Sequence, residues 1–249
     1  MVIGEDIIFQ EEVGSTNLYL MNRISQERIK EGTLVWTFRQ TAGRGLDQNS
    51  WESTPGKNLT FSFVLYPSFL CADQQFRLTK AVSLGLIDLV MTKLPIIQEV
   101  KIKWPNDIYI GNRKVAGVLI QNGVKGERFE YSVIGIGLNV NQESFSPDIP
   151  NPVSLKLITG NEFILETLLA NAIECLQSRI NLLKSGDNSR LDKDYLDNLY
   201  RFGEVHDYIF KGKKIRARIS GINYYGQLIL EIPGENTIVC DLKEVEFVL

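Results

Sequence analysis

Apolar positions along this chain repeat either every two residues or about every 3.6, and the two rhythms mark out its elements. Ile7 to Val13 reads as a strand. Gly14-Ser15-Thr16-Asn17 follows, and Leu18, Met21 and Ile24 then recur at helical spacing, with Ser15 or Thr16 placed to cap the helix. Gly32 closes that helix, and Thr33 to Phe38 is the next strand. Leu59, Phe61, Phe63 and Leu65 alternate with Thr60, Ser62 and Val64, the pattern of a half-buried strand, stopped by Pro67. Asp73 opens a long helix to about Leu94, with Phe76, Val82, Leu86 and Val90 on its apolar face. Val100 to Trp104 is a strand that ends at Pro105, which lacks the N–H a ladder needs. Asp107 to Ile110, a Gly111-Asn112 turn and Lys114 to Gln121 form a hairpin. Tyr131 to Leu138 is a further strand, and Gln142 to Pro152 is irregular. A second long helix runs from about Glu162 to Lys184, with Ile164, Leu168, Ala172, Leu176, Ile180 and Leu183 as its buried stripe. A shorter helix ends near Tyr200.

Beyond Gly203 the rhythm changes. Val205 to Phe210, Lys214 to Ile222, Gln227 to Ile232, Thr237 to Asp241 and Val245 to Leu249 are short strands separated by turn signals, which predicts a small barrel. A domain boundary near Leu199 to Glu204 divides the chain into 1–200 and 201–249. The stretch from Gln40 to Phe61 follows neither rhythm. A loop of that length inside a compact domain is functional or disordered, and Trp51 and the glycines flanking Arg44 argue against disorder. Glycine lets backbone N–H groups approach an anion, and Arg44 adds a planar fork for carboxylate or phosphate.

Composition narrows the functional classes. The chain has 249 residues, 44% hydrophobic and 23% charged, as a soluble protein with a real core does. No apolar run is long enough to span a bilayer, and Met-Val-Ile-Gly-Glu-Asp does not open a signal peptide. Three widely spaced cysteines, Cys71, Cys175 and Cys240, argue against a disulfide framework or zinc site and for a cytoplasmic location. A net charge of −3 gives no general pull toward nucleic acid, and His206 is the only histidine on which His-dependent catalysis could rest. A basic run, Lys211, Lys213, Lys214, Arg216 and Arg218, raises a nucleic-acid-binding alternative. Seven basic residues from Arg201 to Leu249 are matched by seven acidic ones, which favours a solvated strand face.

Three further stretches interrupt strand patterns with charge or glycine: Lys103-Trp104-Pro105-Asn106-Asp107, Arg113-Lys114-Val115-Ala116-Gly117, and Gly135-Ile136-Gly137-Leu138-Asn139. The hairpin brings Asp107 and Lys114 within reach of each other, and Ala116-Gly117 leaves backbone bare for a ligand.

Taken with Ser15-Thr16-Asn17 and Gln40-Thr41-Ala42-Gly43-Arg44-Gly45 followed by Trp51, these stretches resemble, in order and spacing, the signature of biotin protein ligases. The resemblance covers nearly the whole chain. It implies an α+β fold of the class II synthetase-like, biotin–lipoyl ligase type: a mixed sheet with helices, followed by a small SH3-like C-terminal barrel. It implies a ligase that makes biotinyl-5′-adenylate from biotin and ATP with Mg²⁺. The enzyme then passes biotin to a lysine on the biotin carboxyl carrier domain of acetyl-CoA carboxylase or another biotin-dependent carboxylase. By the same resemblance Lys114 and Arg44 are catalytic, and Ser15, Thr16, Asn17, Gln40, Gly43, Gly45, Leu46 and Gly117, with Arg44 and Lys114, hold biotin. Trp51, Lys103, Asn106, Asp107 and Asn139, again with Arg44 and Lys114, face ATP, and Asp107 is the candidate Mg²⁺ ligand.

Two departures stand out. Fourteen residues before Ser15 are too few for the winged-helix domain many bacterial relatives carry, so a monofunctional type without specific DNA binding is expected. Leu46, Asp47, Gln48 and Asn49 stand where the family often has further arginines, which predicts weaker closure over the adenylate. A lipoate or octanoate attachment enzyme, which shares the fold, is the alternative. Monomer and homodimer are both left open.

Overall fold

The computed structural model describes residues 2–46, 49–95, 98–234 and 236–248, so Asp47 and Gln48 of the long loop lie outside the described residues. The first part is built on a seven-stranded sheet: β1 (Ile7–Val13), β2 (Leu34–Gln40), β3 (Leu59–Leu65), β4 (Val100–Lys103), β5 (Asp107–Ile110), β6 (Arg113–Lys125) and β7 (Arg128–Leu138), in spatial order β1-β2-β3-β7-β6-β5-β4. β1 pairs parallel with β2 and all other neighbours are antiparallel, which makes the sheet mixed.

α1 (Thr16–Gln26) covers one face of the sheet. α2 (Gln75–Met91), entered through a single 3₁₀ turn at Ala72–Gln74, and α4 (Leu165–Lys184) pack together on the other. α5 (Asn188–Asp197) lies against α2 and α4, and Arg179 of α4 is pinned between Asp88 of α2 and Asp194 of α5, at 2.6 Å from each.

β3 shows why the two-residue rhythm understated burial. Leu59, Phe61, Phe63 and Leu65 enter the core under α2 and α4, as alternation requires. The opposite face does not meet solvent: Val64 packs beneath α1 and Ser62 reaches the first turn of that helix. All seven residues are buried, each of the two phenylalanines contributing ~1.5–3 kcal/mol of apolar burial.

Several predicted boundaries move for identifiable reasons. α1 ends at Gln26, before Gly32, because Glu27 is already extended and the chain turns to bury Ile29. α4 starts at Leu165 rather than Glu162. Asn141 pairs through its side-chain amide with both the N–H and the C=O of Phe163, which holds that stretch extended and leaves Ile164 exposed at the helix cap. β6 runs past Gln121 to Lys125 because the ring of Tyr131 covers Gly123, and the strand continues. The short helix α3 (Leu155–Thr159), capped by Ser154, lies just beyond the irregular stretch and had no signal of its own.

The C-terminal strands β8 (Val205–Phe210), β9 (Lys213–Ile222), β10 (Leu228–Glu231), β11 (Thr237–Cys240) and β12 (Val245–Phe247) form an antiparallel sheet in the order β11-β10-β9-β8-β12. Among the described residues no ladder joins β11 to β12, so the predicted barrel is observed as a five-stranded antiparallel sheet that is not closed. Its apolar face (Tyr208, Ala217, Ile219, Leu228 and Leu230) belongs to the same hydrophobic cluster as the core under α2 and α4. Trp104 crosses the junction and donates its indole N–H to Gly226 at 2.8 Å. Three of the five residues of the basic run are ion-paired in place: Lys211 with Glu244, Lys214 with Asp207 and Arg218 with Glu231.

Candidate active site

At the N-terminus of α1 the face of the sheet is hollowed into a pocket of about 190 Å³. Its two ends differ in chemistry. At the α1 end Ser15 takes the cap position but makes no cap hydrogen bond. Gln40, at the end of β2, does that work instead: its amide oxygen accepts from the Thr16 N–H at 2.8 Å and from the Thr16 hydroxyl at 3.1 Å. The cap role inferred for Ser15 is thus met by another strand, which leaves the Ser15 hydroxyl at the pocket. Behind Thr16, Ser62 Oγ lies 2.7 Å from both Thr16 Oγ1 and Asn17 Oδ1. Asn17 donates through Nδ2 to Gln121 Oε1 at 2.9 Å and to the Leu119 carbonyl at 3.3 Å. The result is a chain of neutral donors and acceptors, Gln40–Thr16–Ser62–Asn17–Gln121, buried at its centre and half-buried at its two glutamines, in which each group is positioned by its neighbours.

At the other end the β5–β6 hairpin brings Lys114 Nζ to 2.7 Å from Asp107 Oδ1. A bulge between Ile108 and Tyr109 shifts the register, so the two residues face each other without being opposite partners. Both are about a quarter exposed, at 29% and 28%. Behind them Asn106 donates to the Val118 carbonyl at 2.6 Å, and the carbonyl of Pro105 accepts from the buried Tyr195 hydroxyl at 2.7 Å, which anchors the segment to α5.

The floor between the ends is glycine because two side chains occupy the space that Cβ atoms would need. A Cβ on Gly135 would lie 2.1 Å from Asn17 Oδ1, and one on Gly137 would lie 2.2 Å from Cε2 of Trp51. The indole rests on the backbone of β7, next to Gly117 across the ladder, with Lys114 Nζ 5.9 Å from its ring centre. Its N–H is buried and finds no hydrogen-bond acceptor among the described residues.

The loop that delivers Trp51 is fastened at its base. Asn58 accepts from the Val140 N–H and donates to Gln142, which also receives the Thr54 N–H. Further along the loop, the backbone N–H of Trp51 bonds to the Gly43 carbonyl and Arg44 bridges to Ser50 through the backbone, while the Arg44 side chain is exposed.

Ser15, Thr16, Asn17, Gln40, Arg44, Gly45, Leu46, Trp51, Asn106, Asp107, Lys114 and Gly117 thus all line one pocket. Gly43, Lys103 and Asn139 do not line it. Gly43 packs behind the loop against Gln40 and Trp51. Asn139 is buried beyond β7 and donates to the Val153 carbonyl, which braces the start of β6. Lys103 points toward Tyr109 and Phe247, and burial lowers its ammonium pKa, against the nearby charge of Asp107. Sequence reasoning missed Ser62 and Gln121 as parts of the site. Their one signal was a polar residue at regular spacing in a strand, which also describes a solvent face.

The comparisons with known proteins agree with this geometry. A family model for the biotin/lipoate A/B protein ligases matches residues 9–139, more than half the chain. The chain belongs to that family. It is 30% identical over 251 residues to the bifunctional ligase/repressor BirA of Bacillus spizizenii, covering 98% of this chain and 71% of that protein. It is 25% identical to the biotin–[acetyl-CoA-carboxylase] ligase of Mycobacterium tuberculosis, over 94% and 85% of the two chains. Among solved structures, the biotin protein ligase from Aquifex aeolicus in complex with biotin and ATP superposes with a TM-score of 0.81 at 23% identity, over 98% of this chain and 100% of that one. At that identity the likeness establishes the fold.

Proposed function

We propose that the chain is an ATP-dependent biotin protein ligase. The observation that carries the reading is the division of the pocket into a neutral hydrogen-bonding end and a cationic end. Biotin has the matching division: an uncharged ureido ring at one end and a carboxylate at the other. Ser15, Thr16, Asn17 and Gln40 are the groups for the ring. A lipoyl or octanoyl chain offers them no partner, and a polar group desolvated without one costs a few kcal/mol. That disfavours the lipoate alternative.

The chemistry needs no protein nucleophile. A carboxylate oxygen of biotin attacks the α-phosphorus of ATP; the new P–O bond forms as the bond to the bridging oxygen breaks and pyrophosphate leaves. A lysine amine of the acceptor then attacks the acyl carbon, the C–N bond forms, AMP departs with the ester oxygen, and the amine gives up a proton. Lys114 is assigned to hold the two anions together in the first step, with Arg44 on the phosphate side and Trp51 closing over the product. Such fixed charges act where charge develops in the transition state. The unpartnered indole N–H of Trp51 supports a ligand acceptor above Gly137.

Among the described residues no group of three or more His, Cys, Asp and Glu side chains is assembled to hold a metal. Asp107 is the single carboxylate among the described lining residues and it is paired with Lys114. That donor set fits Mg²⁺ arriving with the nucleotide phosphates rather than an ion caged by protein. The acceptor class, a carrier domain of a biotin-dependent carboxylase, follows from the same reading. A cytoplasmic setting is supported by three free thiols. No helix among the described residues is long and apolar enough to cross a membrane. Residues 201–249 make a second domain whose apolar face packs on the first.

The test is ATP–pyrophosphate exchange with biotin, lipoate and octanoate offered separately. Exchange is expected with biotin alone; exchange driven by lipoate or octanoate at a comparable rate overturns the reading.

A further inference from the structure

The end of the pocket assigned to the two anions carries less free charge than its residues suggest. Lys114 Nζ lies 2.7 Å from Asp107 Oδ1, so the positive charge there is met by a negative one. Arg44 stands apart on the loop, exposed. An ammonium already matched by a carboxylate offers a phosphate little, unless that carboxylate is matched from elsewhere.

Lys103 stands on the other side of Asp107. The two close the β4–β5 hairpin and lie opposite each other in its antiparallel ladder, so their side chains leave the same face of the sheet. Tyr109, two residues beyond Asp107, shares that face and pairs with Lys114 across the next ladder. The Lys103 ammonium is held between two rings, 5.3 Å from the centre of Tyr109 and 5.2 Å from that of Phe247, and it donates to the Tyr109 hydroxyl at 3.3 Å. No ion pair joins it among the described residues. A methionine would fill the same seat without the loss of hydration that a half-buried ammonium suffers. Burial pushes the Lys103 ammonium pKa down; the charge of Asp107 opposes that shift, and Lys114 and Arg201 add to it. Lys103 is therefore electrostatically joined to the Asp107–Lys114 pair, although it is not among the described residues that line the pocket.

We propose that Lys103 is a positioning residue for adenylation, the standing counter-charge of Asp107. With Asp107 matched from behind, this end of the pocket keeps a net positive charge. The Lys114 ammonium can then turn from the carboxylate toward the biotin carboxylate and the α-phosphate. Phe247 of β12 forms one wall of the Lys103 seat, so the C-terminal sheet helps set the charge of a pocket to which it gives no described lining residue. The inference rests on the ligase reading, and in it Lys103 acts through Asp107 and touches no substrate.

The experiment is a double-mutant cycle in the full-length chain, read by biotin-dependent ATP–pyrophosphate exchange. Lys103→Met removes the charge and keeps an unbranched chain between the rings, whereas Lys103→Arg keeps the charge. Lys103→Met is expected to lower kcat for exchange about tenfold or more, equivalent to ~1.4 kcal/mol. Its melting temperature and its KM for biotin should stay close to those of the unaltered chain. Lys103→Arg should hold kcat within about threefold, since a guanidinium also carries its charge between rings. Added to Asp107→Asn, Lys103→Met should change kcat by less than about twofold, because the carboxylate it serves is gone. Single-turnover formation of the adenylate with enzyme in excess extends the cycle to slow variants. An unchanged kcat in Lys103→Met overturns the assignment. A further loss of about tenfold in the Asp107→Asn background also overturns it, because Lys103 would then act on the nucleotide itself. So does a loss in Lys103→Arg equal to that in Lys103→Met, which would mark the shape of the seat and not its charge. Absence of biotin-dependent exchange in the unaltered chain overturns the ligase reading and this assignment with it.

Discussion

The two ends of the pocket solve opposite problems. At the α1 end Ser62 is fully buried and Thr16 and Asn17 nearly so, and the network groups are bonded to one another before any ligand arrives. At the Lys114 end the charged groups keep about a quarter of their surface in solvent, and Arg44 on the loop is exposed. A neutral ring gains little from each hydrogen bond, so its partners must be held still and pre-paid for their desolvation. Phosphates and carboxylates interact strongly with cations even in a half-wet setting, and a charge that moves with the reaction must not be locked down. Recognition is therefore built into the sheet, and chemistry is placed on a hairpin and a loop.

Removing the charge should separate the two most sharply. Lys114→Ala is expected to lower pyrophosphate exchange by about 10²–10³, the ~2.7–4 kcal/mol typical of one lost stabilising group, with little change in melting temperature. A variant that keeps a near wild-type exchange rate would show that the cationic end is not where adenylation occurs.

Ser62→Ala attacks the opposite end and should have the opposite signature. It strips a hydrogen-bond partner from both Thr16 and Asn17 without touching ligand. A loss of ~1–3 kcal/mol in unfolding free energy is expected, with a raised KM for biotin and a KM for ATP left in place. Denaturant unfolding and steady-state kinetics decide it; equal effects on both substrates would mean the network does not belong to one end.

That network also marks how far the sequence could be read. The bounds of β1 and β3, the apolar face of α2 and the Asp107–Lys114 hairpin were legible because each follows from a local rhythm or a turn. Ser62 was not, since alternation reports which residues share a face and not what covers that face. The cap of α1 was legible in position, since Ser15 does take it, but not in partner: Gln40, which accepts from Thr16, lies twenty-four residues away, and nothing local announces it. Lys103 and Asn139 entered through motif spacing, and the structure places both outside the pocket lining. Spacing along strands carries residues to the same end of a sheet but does not choose the layer in which they finish.

Smaller effects should come from the loop. Arg44→Ala is expected to speed release of trapped biotinyl-adenylate by about tenfold to a hundredfold, the ~1.5–3 kcal/mol of a hydrogen bond to a charged group, with unchanged melting temperature because the side chain is exposed. Because Leu46 to Asn49 add no further cations, the starting rate should already be high for this family, and loss of the adenylate from the unaltered chain, measured by filtration, checks it. Ligand should also protect the 40–57 segment from protease; equal cleavage with and without adenylate would count against closure. The smallest expected effect is none at all: with Lys211, Lys214 and Arg218 each paired to a carboxylate, the chain should show no salt-sensitive retention on heparin and no footprint on DNA.

The seat of Trp51 gives the molecule an optical property. Of its three tryptophans, Trp36 and Trp104 are shut into the interior, one among Phe9 and Phe38 and the other bonded to Gly226. Trp51 alone shares its surroundings with a movable charge, the Lys114 ammonium 5.9 Å from its ring. An anion drawn to that ammonium alters the electric field across the indole and with it the colour and yield of its emission. Two core chromophores then act as an internal reference, and the third reports occupancy of the pocket from unlabelled protein in real time.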